Sequence, residues 1–285
     1  MFIDPKPEIR FSAAPSRGMV TGMSLAENFL SLHLPGRPLL MPNAWDAGSA
    51  KVLASLGFPA LATTSSGYAA TLGRLDGQVT RDEVIAHATA LVEAVEVPVS
   101  ADLEAGFAGT TAEVEETFRL AVAAGLAGGS IEDYTGIEKD TIYSVEEAAE
   151  RVAAAAGAAG DGFVLTARAE NHIRGRDDLD DTIARLQAYQ EAGADVLFAP
   201  GVIAVEDVRR LVDSVDRPVN VLLLPGGPSV PELAEAGAAR ISVGGAFAFA
   251  ALGAVKHAAE ELLGAGTTGY SELAAEGAKA FRNAG

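Results

Sequence analysis

Eight short apolar segments recur along this chain at regular intervals, each turning polar at its C-terminal end, and no other feature of the sequence narrows the fold as much. They are "LLMPNAWD" (39–46), "ALATTSS" (60–66), "VPVSADLE" (97–104), "AGGSIED" (127–133), "FVLTARAE" (163–170), "DVLFAP" (195–200), "PVNVLLL" (218–224) and "RISVGG" (240–245). Their apolar character is continuous rather than alternating, as in strands buried on both faces. Helical spacing fills the intervals: Val84, Ala88, Leu91 and Val95 after Thr80, Val114, Phe118 and Val122 after Thr110, Leu179, Ile183, Leu186 and Tyr189 after Asp177. Three helices open on a capping box, Thr80–Glu83, Thr110–Glu113 and Ser144–Glu147. Gly57, Gly125, Gly193 and Gly237 each sit between a helix and a strand, where a left-handed residue ends the helix. Strand and helix alternating in this way predict a single (β/α)8 TIM-type barrel over residues 24–285, after a loosely ordered tail, 1–23. The rival, an open doubly wound sheet, would carry a glycine-rich dinucleotide fingerprint after its first strand, and "NAWDAGSA" is not one.

Composition removes several classes of function. The formal net charge is −18 and no cluster of Lys and Arg occurs, which argues against nucleic acid as a partner. No stretch reaches the ~18 apolar residues of a membrane span, and the first residues lack the apolar centre of a secretory signal. The chain has no cysteine, so disulfides, thiolate metal sites and a cysteine nucleophile are excluded. A reducing, cytoplasmic setting is the matching expectation. The segment "GGAFAFAALGAVKHAAEELL" (244–263) is too apolar for a fully exposed helix, so a homo-oligomer is expected, with subunit contact there.

Reacting groups of such barrels lie at the C-terminal ends of the strands. Asp102 and Glu104 close strand three, two residues apart and so on one face. Glu132 and Asp133 close strand four, and Asp76 lies in the loop after strand two. Together they predict an all-oxygen cluster suited to a hard cation, Mg2+ or Mn2+. Arg168, read as facing them across the mouth and as the only basic residue at a strand end, is placed to clamp a substrate carboxylate or phosphonate. The end of strand two offers Thr64, Ser65, Ser66, Gly67 and Tyr68, and strand seven begins with Asn220. The loop "EDYTGIEKDTIYS" supplies Tyr134, Thr135, Glu138 and Lys139 as a candidate lid. His33, His87 and His257 fall within helical patterns and read as structural.

With "MPNAWDAGSAKVLASLGFPALATTSSGYAATLGRLDG", "VSADLEAGFAG", "SIEDY", "TARAEN" and "PVNVLLLPGGPSVPELAEAGAARISVGGA", the chain resembles the isocitrate lyase/phosphoenolpyruvate mutase superfamily from about Leu25 to Phe249. The resemblance implies a barrel whose last helix is exchanged between subunits of a dimer or tetramer. It also implies Mg2+ and a small anionic α-oxycarboxylate or phosphonate, with a C–C or P–C bond made or broken beside it. Asp102, Glu104 and Glu132 then occupy metal-site positions, with Asp76 an outer partner through water. Ser66, Gly67 and Tyr68 match the turn that holds the substrate carboxylate. Arg168 matches the substrate-binding arginine, and Asn220 lies near the strand-seven substrate contacts. Glu132 and Tyr134 join Arg168 as the catalytic candidates. The lyases carry a Lys-Lys-Cys-Gly-His or Lys-Arg-Cys-Gly-His motif after strand four. This chain has no such motif, so an ordinary isocitrate lyase mechanism is not expected. The implied activity is a lyase that cleaves an oxaloacetate- or malate-type acid through a pyruvate enolate. The alternatives are a phosphonomutase or phosphonopyruvate hydrolase, and a non-catalytic barrel that binds Mg2+ and carboxylate.

Overall fold

The computed structural model describes residues 22–136 and 141–285. The predicted tail, 1–23, and the lid residues Glu138 and Lys139 lie outside these apart from Gly22 and Met23. Nine strand segments run parallel: β1 (Leu39–Met41), β2 (Asn43–Ala44), β3 (Leu61–Thr63), β4 (Val99–Asp102), β5 (Gly128–Glu132), β6 (Val164–Arg168), β7 (Val196–Phe198), β8 (Val219–Leu222) and β9 (Arg240–Ser242). Their lateral order is β1-β9-β8-β7-β6-β5-β4-β3-β2. The two ends of that order, β1 and β2, are consecutive halves of one strand interrupted at Pro42. One half pairs with β9 and the other with β3, which closes the sheet into a (β/α)8 barrel. Pro42 has no N–H to give, but its carbonyl accepts from Ala62 N at 3.0 Å. Asn43 reinforces the closure: its amide donates to Thr63 O at 2.7 Å, and its Oδ1 accepts from Gly244 N at 2.9 Å.

All eight apolar segments form strands, each shorter at its polar end than the run that announced it. Of the helices, α1 (Leu25–Ser31) precedes the barrel, and α2 (Ala47–Ser55), α3 (Ser65–Thr71), α4 (Arg81–Ala94), α5 (Thr111–Ala123), α6 (Val145–Ala159), α7 (Leu179–Glu191), α8 (Val205–Asp213) and α9 (Val230–Glu235) follow in turn. The three predicted capping boxes are present, and Gly57, Gly125, Gly193 and Gly237 all have positive φ. Residues 65–68, read as the end of strand two, instead open the helix α3. Thr64 caps it by accepting from Gly67 N at 3.3 Å, and Ser66, Gly67 and Tyr68 therefore lie on a helical first turn.

Helix α1 plugs the N-terminal end of the barrel. Phe29 is fully buried there with Leu39, Ala60, Ala127, Val164 and Val196. At the other end of the chain, α10 (Ala246–Gly264) buries only Ala248 and leaves Phe249, Leu252 and Val255 exposed. The last helix, α11 (Ser271–Asn283), packs back toward α2. Among the described residues no helix is long and apolar enough to cross a membrane.

Candidate active site

A cavity of about 380 Å³ opens at the C-terminal ends of the strands and descends into the barrel. Asp102, the last residue of β4, stands on its wall. Its backbone N–H donates to Thr63 Oγ1 at 2.8 Å, and its carboxylate accepts from Ser65 N at 3.3 Å, at the start of α3. Glu104 does not share a strand face with it. The strand ends at Asp102, Leu103 turns into the core, and Glu104 adopts φ 48°, followed by Gly106 at 78° and Phe107 at 53°. A left-handed conformation at a residue with a Cβ costs about 1–2 kcal/mol and persists only where its surroundings hold it. Here Gly106 N donates to Leu103 O at 2.8 Å, and Glu104 O accepts from Glu132 N at 3.0 Å. This turn, and not strand alternation, brings the second carboxylate to the cavity.

Glu132 ends β5 and pairs in register with Arg168, the last residue of β6. Arg168 thus sits beside the carboxylates and not across the mouth. Its Nη1 lies 3.3 Å from Asp102 Oδ1 and 3.1 Å from Glu132 Oε2, and its Nη2 donates to Glu170 Oε1 at 2.6 Å. The Phe198 ring supports the guanidinium at 5.1 Å. Burial alone would lower the Arg168 pKa; Glu132, Glu170 and Asp102 reverse that and raise it. Burial pushes Glu132 well above the usual carboxylate range against the pull of Arg168. Burial, followed by repulsion from Asp102 and Asp76, pushes Glu104 up to about 8. Asp76, hydrogen-bonded to Ser65, is also raised by burial.

Asp133 does not belong to this cluster. It turns toward the helices, accepting from Glu170 N at 2.8 Å, Tyr189 Oη at 2.7 Å and Arg185 Nη1 at 3.0 Å. It ties the ends of β5 and β6 to α7. Ser66 faces the cavity. Gly67 packs so closely that an added Cβ would come 2.6 Å from Thr64 Cγ2 and 3.1 Å from Ala248 Cβ. The Tyr68 ring lies off the cavity, stacked on His87 at 3.8 Å, and His87 in turn meets Trp45 O at 3.0 Å, the structural role expected of it. Asn220 is buried low in the cavity, where it bonds Ser242 Oγ and Arg240. Tyr134 stands at the mouth.

Two basic residues escaped the sequence reading. Arg174 reaches the mouth from the turn after β6, with its Nη2 3.1 Å from Glu170 Oε2 and its guanidinium 3.5 Å from the centre of the Tyr134 ring. The Glu170-x-x-x-Arg174 spacing, that of one helical turn, is the only trace of this pair in the sequence. Arg240 lies on the cavity floor.

Among the described residues, no three carboxylates converge closely enough to ligate one ion directly; Arg168 stands between Asp102 and Glu132. The donor set nonetheless fits a hard, hydrated cation. It offers only oxygen, its carboxylates repel one another, and Glu104 Oε1 is buried without a hydrogen-bond partner. Asp102 and Glu104 would hold such an ion, with Asp76 and Glu132 around it.

Known proteins share this architecture. The family model described as phosphoenolpyruvate phosphomutase matches residues 29–263. A 2,3-dimethylmalate lyase of Eubacterium barkeri is 33% identical over 72% of this chain and 73% of its own length. A Burkholderia cenocepacia J2315 structure, its activity given only as lyase/mutase, is 50% identical with a TM-score of 0.83, covering 87% of this chain and 90% of that one. A phosphonopyruvate hydrolase in complex with oxalate and Mg2+ superposes with a TM-score of 0.78 at 23% identity, covering 88% and 91% of the two chains, and shares the fold.

Proposed function

From membership of the isocitrate lyase/phosphoenolpyruvate mutase superfamily, to which this chain belongs, we propose that it is a Mg2+-dependent lyase that cleaves a C–C bond of a small α-keto or α-hydroxy dicarboxylic acid of the oxaloacetate or malate type. The observation that carries this reading is the Arg168 guanidinium set among Asp102, Glu132 and Glu170 at the strand ends, beside a Glu104 oxygen with no protein partner. Bound Mg2+ would supply Lewis-acid stabilisation of negative charge on the substrate's α-oxygen, whether a malate-type acid carries it before the C–C bond breaks or an oxaloacetate-type acid acquires it as the bond breaks. Arg168 orients a substrate carboxylate through its planar fork, with Glu170 fixing the plane of that fork. Ser66, on the first turn of α3, lines the same cavity and would meet that carboxylate from the other side. Tyr134 and Arg174 stand together at the mouth, where the Tyr134 hydroxyl would hand a proton to whichever carbon keeps the electron pair of the broken bond, a task that has no cysteine to perform it in this chain. Exposed Phe249, Leu252 and Val255 on α10 support a dimer or tetramer.

The P–C reading has one observation in its favour: Arg168 and Arg174 give the mouth two guanidiniums, which suits the three oxygens of a phosphonate. Calorimetric titration with oxalate, a mimic of the pyruvate enolate, tests the metal site common to both readings. Binding that requires Mg2+ is expected; absence of binding with and without Mg2+ refutes the site. Acetate-type or phosphate products, separated by NMR of the reaction mixtures, then decide between C–C and P–C cleavage.

A further inference from the structure

The cavity continues below the carboxylates to a floor that the proposed reaction leaves unused. Arg240, the first residue of β9, lies there 3% exposed among neutral groups. Its Nε donates to Asn220 Oδ1 at 3.0 Å, its Nη2 donates to Thr166 Oγ1 at 3.1 Å, and its Nη1 faces His33 Nε2 at 3.3 Å. Of the other arginines this deeply buried, Arg185 is ion-paired with Asp133 and Asp181, and Arg151 donates to the backbone carbonyls of Ala105 and Ala108; among the described residues Arg240 has a partner of neither kind. Among the described residues no carboxylate stands within ion-pairing distance of Arg240. Three hydrogen bonds also leave part of its five-donor fork without a partner.

A buried guanidinium stays charged, and it is unfavourable unless a counter-charge meets it. The surroundings are those of a binding site and not of a packed barrel. Where such barrels stack Val, Ile and Leu in their interior layers, this one presents Ser100, Ser130, Asn220 and Ser242 to the cavity. Hydroxyls rotate to donate or accept as required, and Asn220 is fixed between Ser242 and Arg240. Burial, and after it repulsion from Arg168, lower the Arg240 pKa to about 9, with no carboxylate among the described residues to offset either.

We propose that the cavity floor is a second acid-recognition position, in which Arg240, held in place by Asn220, receives a carboxylate at the end of the ligand remote from Arg168. This deepens the reading of the cavity as a site for small diacids and rests on it. It makes Arg240 a specificity residue that favours diacids longer than oxalate. The competing role is mechanical: Arg240 would only pin α1 to the barrel through His33.

The full-length chain is titrated with L-malate and with oxalate in the presence of Mg2+, as wild type, Arg240→Met, Arg240→Lys and His33→Leu. Arg240→Met should weaken malate by about tenfold or more and leave oxalate within about twofold, and His33→Leu should leave both within about twofold. Arg240→Lys keeps the charge without the fork and covers failure of the methionine variant to fold; malate weakened with oxalate unchanged is the expected result there too. Unchanged malate affinity in the Arg240 variants, or equal losses for both ligands in Arg240→Met and His33→Leu, overturns the proposal. Oxalate binding with no malate binding by wild type removes the floor alone. Arg240-dependent malate binding without oxalate binding removes the metal-site reading and keeps the floor.

Discussion

His33 makes the stability of the barrel depend on pH in a way that can be computed from its contacts. Its Nδ1 lies 3.1 Å from Phe29 O and 3.2 Å from Leu30 O. Carbonyls only accept, so Nδ1 carries the proton, and the lone pair of Nε2 faces Arg240 Nη1 at 3.3 Å. Protonating Nε2 would set a second cation against the guanidinium in a buried place. Burial, and then Arg240, accordingly lower the His33 pKa from 6.5 to about 3. The unfolded chain takes up a proton below 6.5 and the folded chain does not until about 3. The stabilisation from a neutral His33 is therefore complete above the first value and lost as pH falls toward the second. Each pH unit in that window is worth about 1.4 kcal/mol, so about 2 kcal/mol is gone at about pH 5. His33→Gln keeps an acceptor near Arg240, does not titrate, and forfeits the Nδ1 hydrogen bond, a loss of about 1 kcal/mol. The variant should be less stable than wild type by about 1 kcal/mol at neutral pH and more stable by a similar amount at about pH 5. Urea unfolding followed by fluorescence of Trp45, the one tryptophan of the chain, measures both curves. Carboxylates common to the two proteins cancel in the difference. Curves that stay parallel from neutral to acid pH would refute the assigned tautomer and the contact with Arg240.

Three further outcomes follow from the same geometry. Asp133→Asn keeps the shape of the hub but removes the charge facing Arg185 and Tyr189, and should cost about 2–4 kcal/mol in urea unfolding; a loss below about 1 kcal/mol would mean that the hub does not bind β5 and β6 to α7. Arg168→Lys loses the fork shared among Asp102, Glu132 and Glu170 and should weaken oxalate by about tenfold or more in calorimetry, whereas unchanged affinity would reduce Arg168 to a tie between carboxylates. Val255→Glu places a charge on the apolar face of α10, where Val255 is 65% exposed, and should convert an oligomer to monomers in light scattering; a wild-type monomer would leave that face without a partner.

What the sequence discloses and what it withholds divide along a physical line. Thr80, Thr110 and Ser144 cap their helices through groups three residues away, and Gly57 or Gly193 ends a helix by its own backbone freedom, so these features are legible from local spacing. The placing of Asp102, Glu132 and Arg168 at strand ends follows from the barrel alone. Glu104 could not be placed in this way, because its left-handed turn is held by contacts to Leu103 and Glu132 that no alternation rule contains. Asp133 reads as a twin of Glu132, and only the position of α7 shows that Arg185 and Tyr189 claim it. Arg240 in "AARISV" looks like an ordinary polar residue opening a strand. Its burial appears only when β9 meets β1 and α1 closes the barrel beneath it.

The charge at the cavity decides what kind of ligand it can hold. Asp76, Asp102, Glu104 and Glu132 line it and Glu170 stands behind Arg168, while Arg168 and Arg174 are the guanidiniums at the mouth. Burial and mutual repulsion raise Glu104, Glu132 and Asp76, so the layer sheds part of its charge while no cation is bound, and to the extent that its carboxylates ionise it turns negative despite its arginines and repels a diacid. Opposite charges a few ångströms apart in such a place interact far more strongly than in water, so the sign of the layer outweighs any single hydrogen bond to the ligand. On the proposed reading an anion enters for two reasons: a divalent cation among Asp102, Glu104 and Asp76 would reverse the local field, and Arg240 below would attract the far end. The two act on different parts of the ligand. Omitting Mg2+ should therefore abolish oxalate binding, while raising ionic strength should weaken malate only modestly, since buried charges are poorly screened. Oxalate binding that persists without Mg2+ would show that the arginines alone overcome the carboxylates, and the metal would then have no part in recognition.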